Sequence, residues 1–444
     1  MGAFLPYAVL LTGLLLVANL FKRKDWLDRG VCIGLLGWTL LESVWTIVQM
    51  LRDGLGTYRY PFIVSGSFHS PAPFGALLAV GLAVAVASVV RLRKEKYLFS
   101  RIQYGLSLAT LLPGAVMLIV SRSRTAWVGL LVALMFLLLR ETRFKEWIRQ
   151  RRGVAVAAVV FVLVAGAVMF KIKPDSAIGR FHVWHMECRA IAAHPWTGVG
   201  FDHVLKAYGD AQSDYFQEAE RPAVIVRVAD SPVYVFNEYL KFGMAWGIGG
   251  LLLSIAVAAW VVWRLFRKRS VLAYGALVYA IFAFASFPLS VVQLKLLGTF
   301  LLAVAMAPER ERRTGWLVAM WGIAFCVCVF AAVRAYPAEK ARREAERIWR
   351  SSLLLELDTD SAYARLAPLY EYLQDNPRYL YQIGCLLHHT GAFQESNRIL
   401  QQGADRSCDP AFHTMMAENY RALGDLEAAE KERLFAYLLD PSRP

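Results

Sequence analysis

APFGALLAVGLAVAVASVVRLRKEKYLFSR, residues 72–101, decides the fold class. Its first nineteen residues carry no charge, and its last eleven hold five Lys or Arg. A helix of about 20 apolar residues crosses a bilayer core, so the stretch reads as a membrane span running into a basic loop. Outward from it the same pattern recurs. Apolar blocks predict spans at 3–21, 30–51, 72–90, 104–120, 125–139, 153–170, 243–263, 271–288, 290–307 and 314–333. A chain of 444 residues that is 57% hydrophobic is too apolar for an ordinary soluble protein. No A-x-A-like site follows the first span, which therefore reads as an anchor and not as a cleaved signal peptide. The predicted fold class is all-α: a polytopic helical membrane protein of about ten spans with a C-terminal helical repeat domain.

Basic residues set the orientation. The loops at 22–29, 91–101, 140–152, 264–269 and 310–313 hold 4, 5, 6, 4 and 3 Lys/Arg, 22 of the chain's 49. The loops between them are poor in charge, and rich and poor alternate along the chain. The positive-inside rule puts the rich loops in the cytoplasm. Both termini and the 171–232 loop are then expected in the periplasm of a bacterial inner-membrane protein. The net charge of +14 follows from this bias and is no nucleic-acid footprint. Cys385 and Cys408 would share the oxidising side, where a disulfide between them is one reading.

Two regions depart from the apolar pattern. The 171–232 loop mixes Trp184, Trp196, Tyr208, Tyr215 and Phe216 with Arg180, Arg189, Arg221, Arg227 and eight acidic residues. That composition suits a folded segment, with a helix predicted over 181–192 and ended at His194-Pro195. The membrane domain covers 1–333, and a charged helical tail covers 338–444. In the tail Gly384, Gly391, Ser396, Leu400 and Gly403 are matched by Ala417, Gly424, Ala429, Arg433 and Ala436, each 33 residues later. Small residues at helix crossings with a Gly in the turn resemble the tetratricopeptide repeat. A stack of such pairs offers a docking groove for a protein partner.

No GxSxG, HExxH, P-loop or paired CxxC occurs, and no Cys/His spacing fits zinc. Neither metal nor cofactor is expected. Four polar segments stand out instead. SRSRTAW, residues 121–127, puts Arg122 and Arg124 at the start of a span. There they either form an anion site at the helix N-terminus or snorkel to lipid headgroups. GRFHVWHMECRAIAAHPWTGVGFDHV, residues 179–204, carries Arg180, His182, His185, Arg189 and His203. FNEYLKFGMAWGIGGLLL, residues 236–253, leads into the seventh span, and GSFHSPAPFGALLAV, residues 66–80, into the third. Inside spans the polar groups are Glu42, Gln293 and Lys295, and such groups are functional candidates by default.

Together the four segments resemble the O-antigen ligase and O-antigen polymerase superfamily. The matching residues are Arg124 before Trp127, then Arg180 with Trp184, His194, Pro195, Gly198 and Gly200. Gly66, Ser67, Phe68, Pro71 and Phe74 match an earlier segment, and Asn237, Tyr239 and Leu240 a later one. The resemblance covers about 60–310. It implies a metal-independent, GT-C-like membrane glycosyltransferase taking glycan from a polyprenyl-diphosphate-linked donor. The acceptor would be lipid A core, growing polysaccharide or protein. Arg124 and Arg180 are the implied catalytic residues. Substrate contacts are expected from Arg122, His203, Asp230, Asn237, Glu238 and Tyr239. Two departures bear on mechanism: Ser70 stands where the family has Asn, and Phe236 where it has His, leaving Asp230, Glu238 and His203 as candidate bases. A glycolipid transporter or flippase, or a membrane-anchored repeat scaffold, are the alternatives. A transporter would carry inverted repeats and broken helices, and neither is visible in the sequence.

Overall fold

The computed structural model describes residues 4–20, 26–53, 64–141, 174–308, 315–353 and 357–442. The span expected at 153–170, the loop at 310–313 and most of the loop at 140–152 lie outside the described residues. Every regular element among the described residues is helical. The helices are α1 (Leu5–Leu20), α2 (Trp26–Asp53), α3 (Pro71–Leu92), α4 (Leu98–Ser121), α5 (Arg124–Glu141), α6 (Pro174–Ala193), α7 (Val204–Glu218) and α8 (Ala223–Val228). They continue as α9 (Glu238–Arg267), α10 (Leu272–Phe284), α11 (Val292–Met306), α12 (Gly315–Leu353), α13 (Thr359–Leu366), α14 (Pro377–His389), α15 (Phe393–Ala404), α16 (Pro410–Ala422) and α17 (Leu426–Leu439). Helices lie over the other nine expected spans. Five are long and apolar enough to cross a membrane: Trp26–Arg52, Pro71–Leu92, Leu98–Ser121, Glu238–Arg267 and Gly315–Leu353. The span expected at 271–288 is shorter than read, because α10 stops at Phe284 and Pro288 opens a 3-10 turn. Proline has no N–H to continue a helix and disfavours helical geometry in the residue before it.

The chain divides into two compact units, residues 6–173 with 255–328 and residues 1–5 with 174–254 and 329–444. In the first, α3 is the core. It packs against α2, α4, α5 and α10, and its side chains are buried from Pro73 to Ala85. Small residues let the backbones approach: a Cβ on Gly81 would fall 2.1 Å from Thr39 Oγ1, and one on Gly129 3.2 Å from Val278. Among the described residues, groups from four of the basic loops meet at one end of this unit. Arg29 donates to Ser100 (2.8 Å), Arg91 to the Arg269 carbonyl (2.6 Å) and to Glu141, and Lys268 to the Val304 and Ala307 carbonyls. Tyr274 adds a hydroxyl to Glu141 at 2.8 Å.

In the second unit α6 packs against α7, α8 lies on α6, and the tail forms successive helix pairs. Pro377 and Pro410, 33 residues apart, open α14 and α16, and Gly391 and Gly424 turn each pair at φ +79° and +84°. Only glycine takes that conformation without strain. The sequence period is therefore the period of two helix pairs. α17 packs on α7. No disulfide joins Cys385 and Cys408, contrary to that reading: both are free and buried. Cys408 sits against Gly209, and burial pushes its thiol up to about 12.

Candidate functional site

The four polar segments assemble as two pairs, one in each unit. In the first unit the 66–75 segment meets the 121–127 turn. Gly66 adopts φ +57°, and a Cβ there would fall 2.6 Å from Glu42 Oε2. Glu42 accepts the Ser67 amide at 3.0 Å and the Ser67 hydroxyl, so the one acid of α2's apolar stretch holds this turn. Gln293 Nε2 donates to the Ser67 carbonyl at 3.4 Å. On the other side Gly75 leaves space for Ser123, whose hydroxyl reaches the Ala72 carbonyl at 3.4 Å. The turn itself explains why two arginines so close in sequence differ. Arg122 closes α4 in the left-handed region, φ 51°, with its amide on the Ile119 carbonyl, and its side chain is exposed. Arg124 is the first residue of α5 and half-buried. Trp127 Nε1 ties the same turn to the Leu118 carbonyl at 2.9 Å.

In the second unit the His194–Gly200 run fits a break in α9. Trp246 and Gly247 leave helical geometry, the glycine at φ +67°. The freed groups are taken up from the run. Val199 N–H donates to the Met244 carbonyl and Gly200 N–H to the Ala245 carbonyl, both at 2.9 Å, while Ile248 N–H donates to the Pro195 carbonyl at 2.8 Å. A Cβ on Gly198 would lie 2.4 Å from the Ala245 main chain, and one on Gly247 2.4 Å from the Pro195 carbonyl. Gly198 and Gly247 are required by this close approach of two backbones, whereas Gly200 has open space and only its positive φ favours glycine. A broken helix is present after all, but its polar groups are occupied by the chain itself.

The predicted site residues fall into different settings. Arg124 belongs to the first unit and Arg180, half-buried on α6, to the second. Asn237 is buried and caps α9: its Oδ1 accepts the amides of Tyr239 (3.0 Å) and Leu240 (3.2 Å). Glu238, at 2% exposure, lies 3.5 Å from Lys241 Nζ, and Tyr239 is half-buried beside it. Asp230 is exposed, and its carbonyl accepts from Gln212 at 3.3 Å. His203 donates through Nδ1 to the Asp405 carbonyl at 2.8 Å, which leaves Nε2 as the basic nitrogen of the neutral ring. With Arg189, His194, Lys206, Asp210 and Asp214, His203 lines a cavity of about 330 Å³ floored by Ala190, Ala193, Ala207 and Ala211. Of the polar residues on α6, His182 bonds Gln212 at 3.0 Å, His185 meets the Tyr215 ring, and Arg189 pairs with Glu218. They bind α6 to α7.

Sequence reasoning missed Glu187. It is fully buried on α6, and among the described residues neither of its oxygens has a hydrogen-bond partner of ordinary geometry. Burial raises its pKa well above the usual carboxylate range, Glu238 adds to that, and the Phe236 amide and Lys241 oppose it. A signal was present: Val183, Ala190 and Ile191, at i−4, i+3 and i+4 from it, are all buried apolar residues.

Long apolar helices, a basic end, and two pairs of glycine-dependent turns define a multi-pass all-helical membrane protein with a folded, polar 174–237 segment. Residues 108–255 match the family model of the O-antigen ligases. An O-antigen ligase of Pseudomonas aeruginosa is 29% identical over 185 residues, 42% of this chain and 41% of that protein. The chain is thus similar to the O-antigen ligases over residues 108–255. The alignment spans about two fifths of the length of the curated relative it matches.

Proposed function

We propose that the chain is a membrane glycosyltransferase, transferring glycan from a polyprenyl-diphosphate-linked donor to an acceptor at the periplasmic face of a bacterial inner membrane. The acceptor class is lipid A core, a growing polysaccharide or a protein. The observation that carries this reading is that the O-antigen ligase match spans Arg124, Arg180 and the His194–Gly200 run with its partner helix. Displacing a diphosphate from an anomeric carbon builds negative charge on the leaving group. Arginine's planar fork binds such oxygens in pairs, and a fixed cation at a helix start stabilises developing charge without reorganising. The acceptor hydroxyl then needs orientation and a proton acceptor. The transport alternative gains nothing from the break in α9, because that break's amides and carbonyls are satisfied within the chain.

The test is glycan analysis after deletion of the gene. Accumulated full-length lipid-linked glycan, with unmodified lipid A core or protein, supports transfer to that acceptor. Loss of long chains alone points to polymerisation. Unchanged lipopolysaccharide, capsule and glycoproteins would sink the glycosyltransferase reading.

A further inference from the structure

Trp196, on the turn that follows α6, is 82% exposed. A single exposed ring needs no explanation, but this one does not stand alone. Its main chain is fixed against the break in α9. Ile248 N–H donates to the Pro195 carbonyl at 2.8 Å, and a Cβ on Gly247 would fall 2.8 Å from the Trp196 carbonyl carbon. Trp246, at the break, is 47% exposed, with Phe201 and Phe242 behind its ring at 5.0 and 5.5 Å. Past the break the exposed apolar surface continues over Ile248, Leu252, Leu253, Ile255 and Val257. These residues belong to a helix long and apolar enough to cross a membrane, with most of its side chains facing outward. Length then places the break. No charge lies between Lys241 and Arg264, but Met244 and Ala245 are buried in the core that α6 and α7 share. The part of α9 open to lipid therefore runs from Trp246 to Trp263. At 1.5 Å per residue it rises about 25 Å, a little short of a hydrocarbon core about 30 Å thick. Trp263 marks its far end, half exposed and with Arg267 over its ring at 5.0 Å. Tryptophan collects at both boundaries of a bilayer, its ring in lipid and its N–H towards the headgroups. The break in α9 is thus at the opposite boundary, and the turn that carries Trp196 is locked to it.

We propose that Trp196 is a lipid anchor: the His194–Gly200 turn rests on the bilayer surface, and the Trp196 ring enters the headgroup boundary beside Trp246. The partner is the lipid surface and not a protein, because the exposed rings continue onto a face of α9 that lies at membrane depth. His194 and Thr197, both exposed, set polar groups close to the ring, where headgroups would meet them. The anchor ties the folded 174–237 segment to the membrane at a point of its own, besides the continuity of the chain into α9. It concerns how the chain sits in lipid and stands whether or not the glycosyltransferase reading holds.

The test uses the full chain in vesicles of phosphatidylethanolamine and phosphatidylglycerol. Cys188, Cys326 and Cys328, the thiols that are not buried, are replaced by Ala, and a nitroxide is attached through Trp196→Cys. Its collisions with molecular oxygen, which concentrates in lipid, are compared with those of a water-soluble nickel chelate. Leu253→Cys on the span and Lys431→Cys on the exposed side of the tail are the references. The ratio of oxygen to nickel collisions at position 196 should exceed that at 431 and shift towards that at 253. A ratio no higher than at 431 puts the position in water, and exclusion of both reagents puts it under protein, a second copy included. Either result overturns the anchor. If the labelled chain does not accumulate, Trp196→Phe is read by fluorescence in an otherwise unaltered chain. The emission lost with that substitution should be one that brominated acyl chains quench more strongly than aqueous iodide does. The reverse order, or quenching by neither, overturns the anchor in the same way.

Discussion

Arg122 and Arg124 show how much a single backbone angle decides. Both sit in one turn, yet Arg122 spends its main chain capping α4 in the left-handed region with an exposed side chain, while Arg124 starts α5 half-buried. Under the proposed mechanism Arg124→Ala and Arg180→Ala should each lower turnover by about 10²–10³-fold, the cost of removing a preorganised charge-stabilising donor, with insertion and accumulation unchanged. Lys at either position should rescue only partly, because a point charge cannot replace a fork. Arg122→Ala should cost far less. Full rescue by Lys at both sites, or greater sensitivity at Arg122, would show that no bidentate contact is made. These arginines were legible as candidates because charge at a span's start is conspicuous. Asn237 was legible for a different reason than the one that holds it in place: its carbonyl caps α9. Glu187 was missed because a lone acid within an amphipathic run reads as solvated, although apolar Val183, Ala190 and Ile191 mark its side of α6 as the buried one.

Helices are where hydropathy speaks most clearly, and nine expected spans within the described residues coincide with helices. What the one-dimensional pattern does not contain is pairing. HPWTGVG and GMAWGIGG are 48 residues apart by Gly198 and Trp246, and nothing in either alone says that one fills a break in the other. The glycines carry the trace of it. Gly198 at φ +64° and Gly247 at φ +67° each face a partner backbone atom at distances no Cβ tolerates. Gly198→Ala and Gly247→Ala should therefore destabilise the second unit by more than the 1–2 kcal/mol or so of a left-handed alanine alone. Gly200 also has positive φ but open space around it, so Gly200→Ala should cost less than either. Thermal unfolding of the three variants in detergent gives the order, and an equal loss at all three would contradict the pairing.

For the molecule as a whole, the sequence carries a charge alternation and a 33-residue period, but neither says where the tail goes. Topology follows from the first: an enzyme reporter active only in the periplasm should be active when fused after Pro444, and a reporter active only in the cytoplasm silent there. The tail was expected to dock a partner, yet α17 already has an occupant, the chain's own α7. One amide organises that junction. Gln212 Oε1 accepts from Tyr208 (2.9 Å) and from His182 Nε2 (3.0 Å), and its Nε2 donates to the carbonyls of Leu439 (2.6 Å) and Asp230 (3.3 Å). Cys408 and Leu439 are buried beside Val183, Met186 and Tyr208. Burial depresses the His182 pKa below its ordinary value, and the neighbouring His185 adds to this. A group whose pKa is lowered by docking favours the docked form above its free value, near 6.5, and penalises it as pH falls below that. The hydrogen-exchange protection factors of α7 and α17, each rate taken relative to the intrinsic amide rate at the same pH, should thus be high at pH 8 and fall towards pH 5. Gln212→Ala should lower them at every pH, since it leaves buried partners unsatisfied at about 1–3 kcal/mol each. His182→Gln should flatten the pH response while keeping high protection at pH 8. Protection that is independent of pH in the unaltered chain, or unaffected by Gln212→Ala, would mean that the tail is not held to the 174–237 segment through this amide.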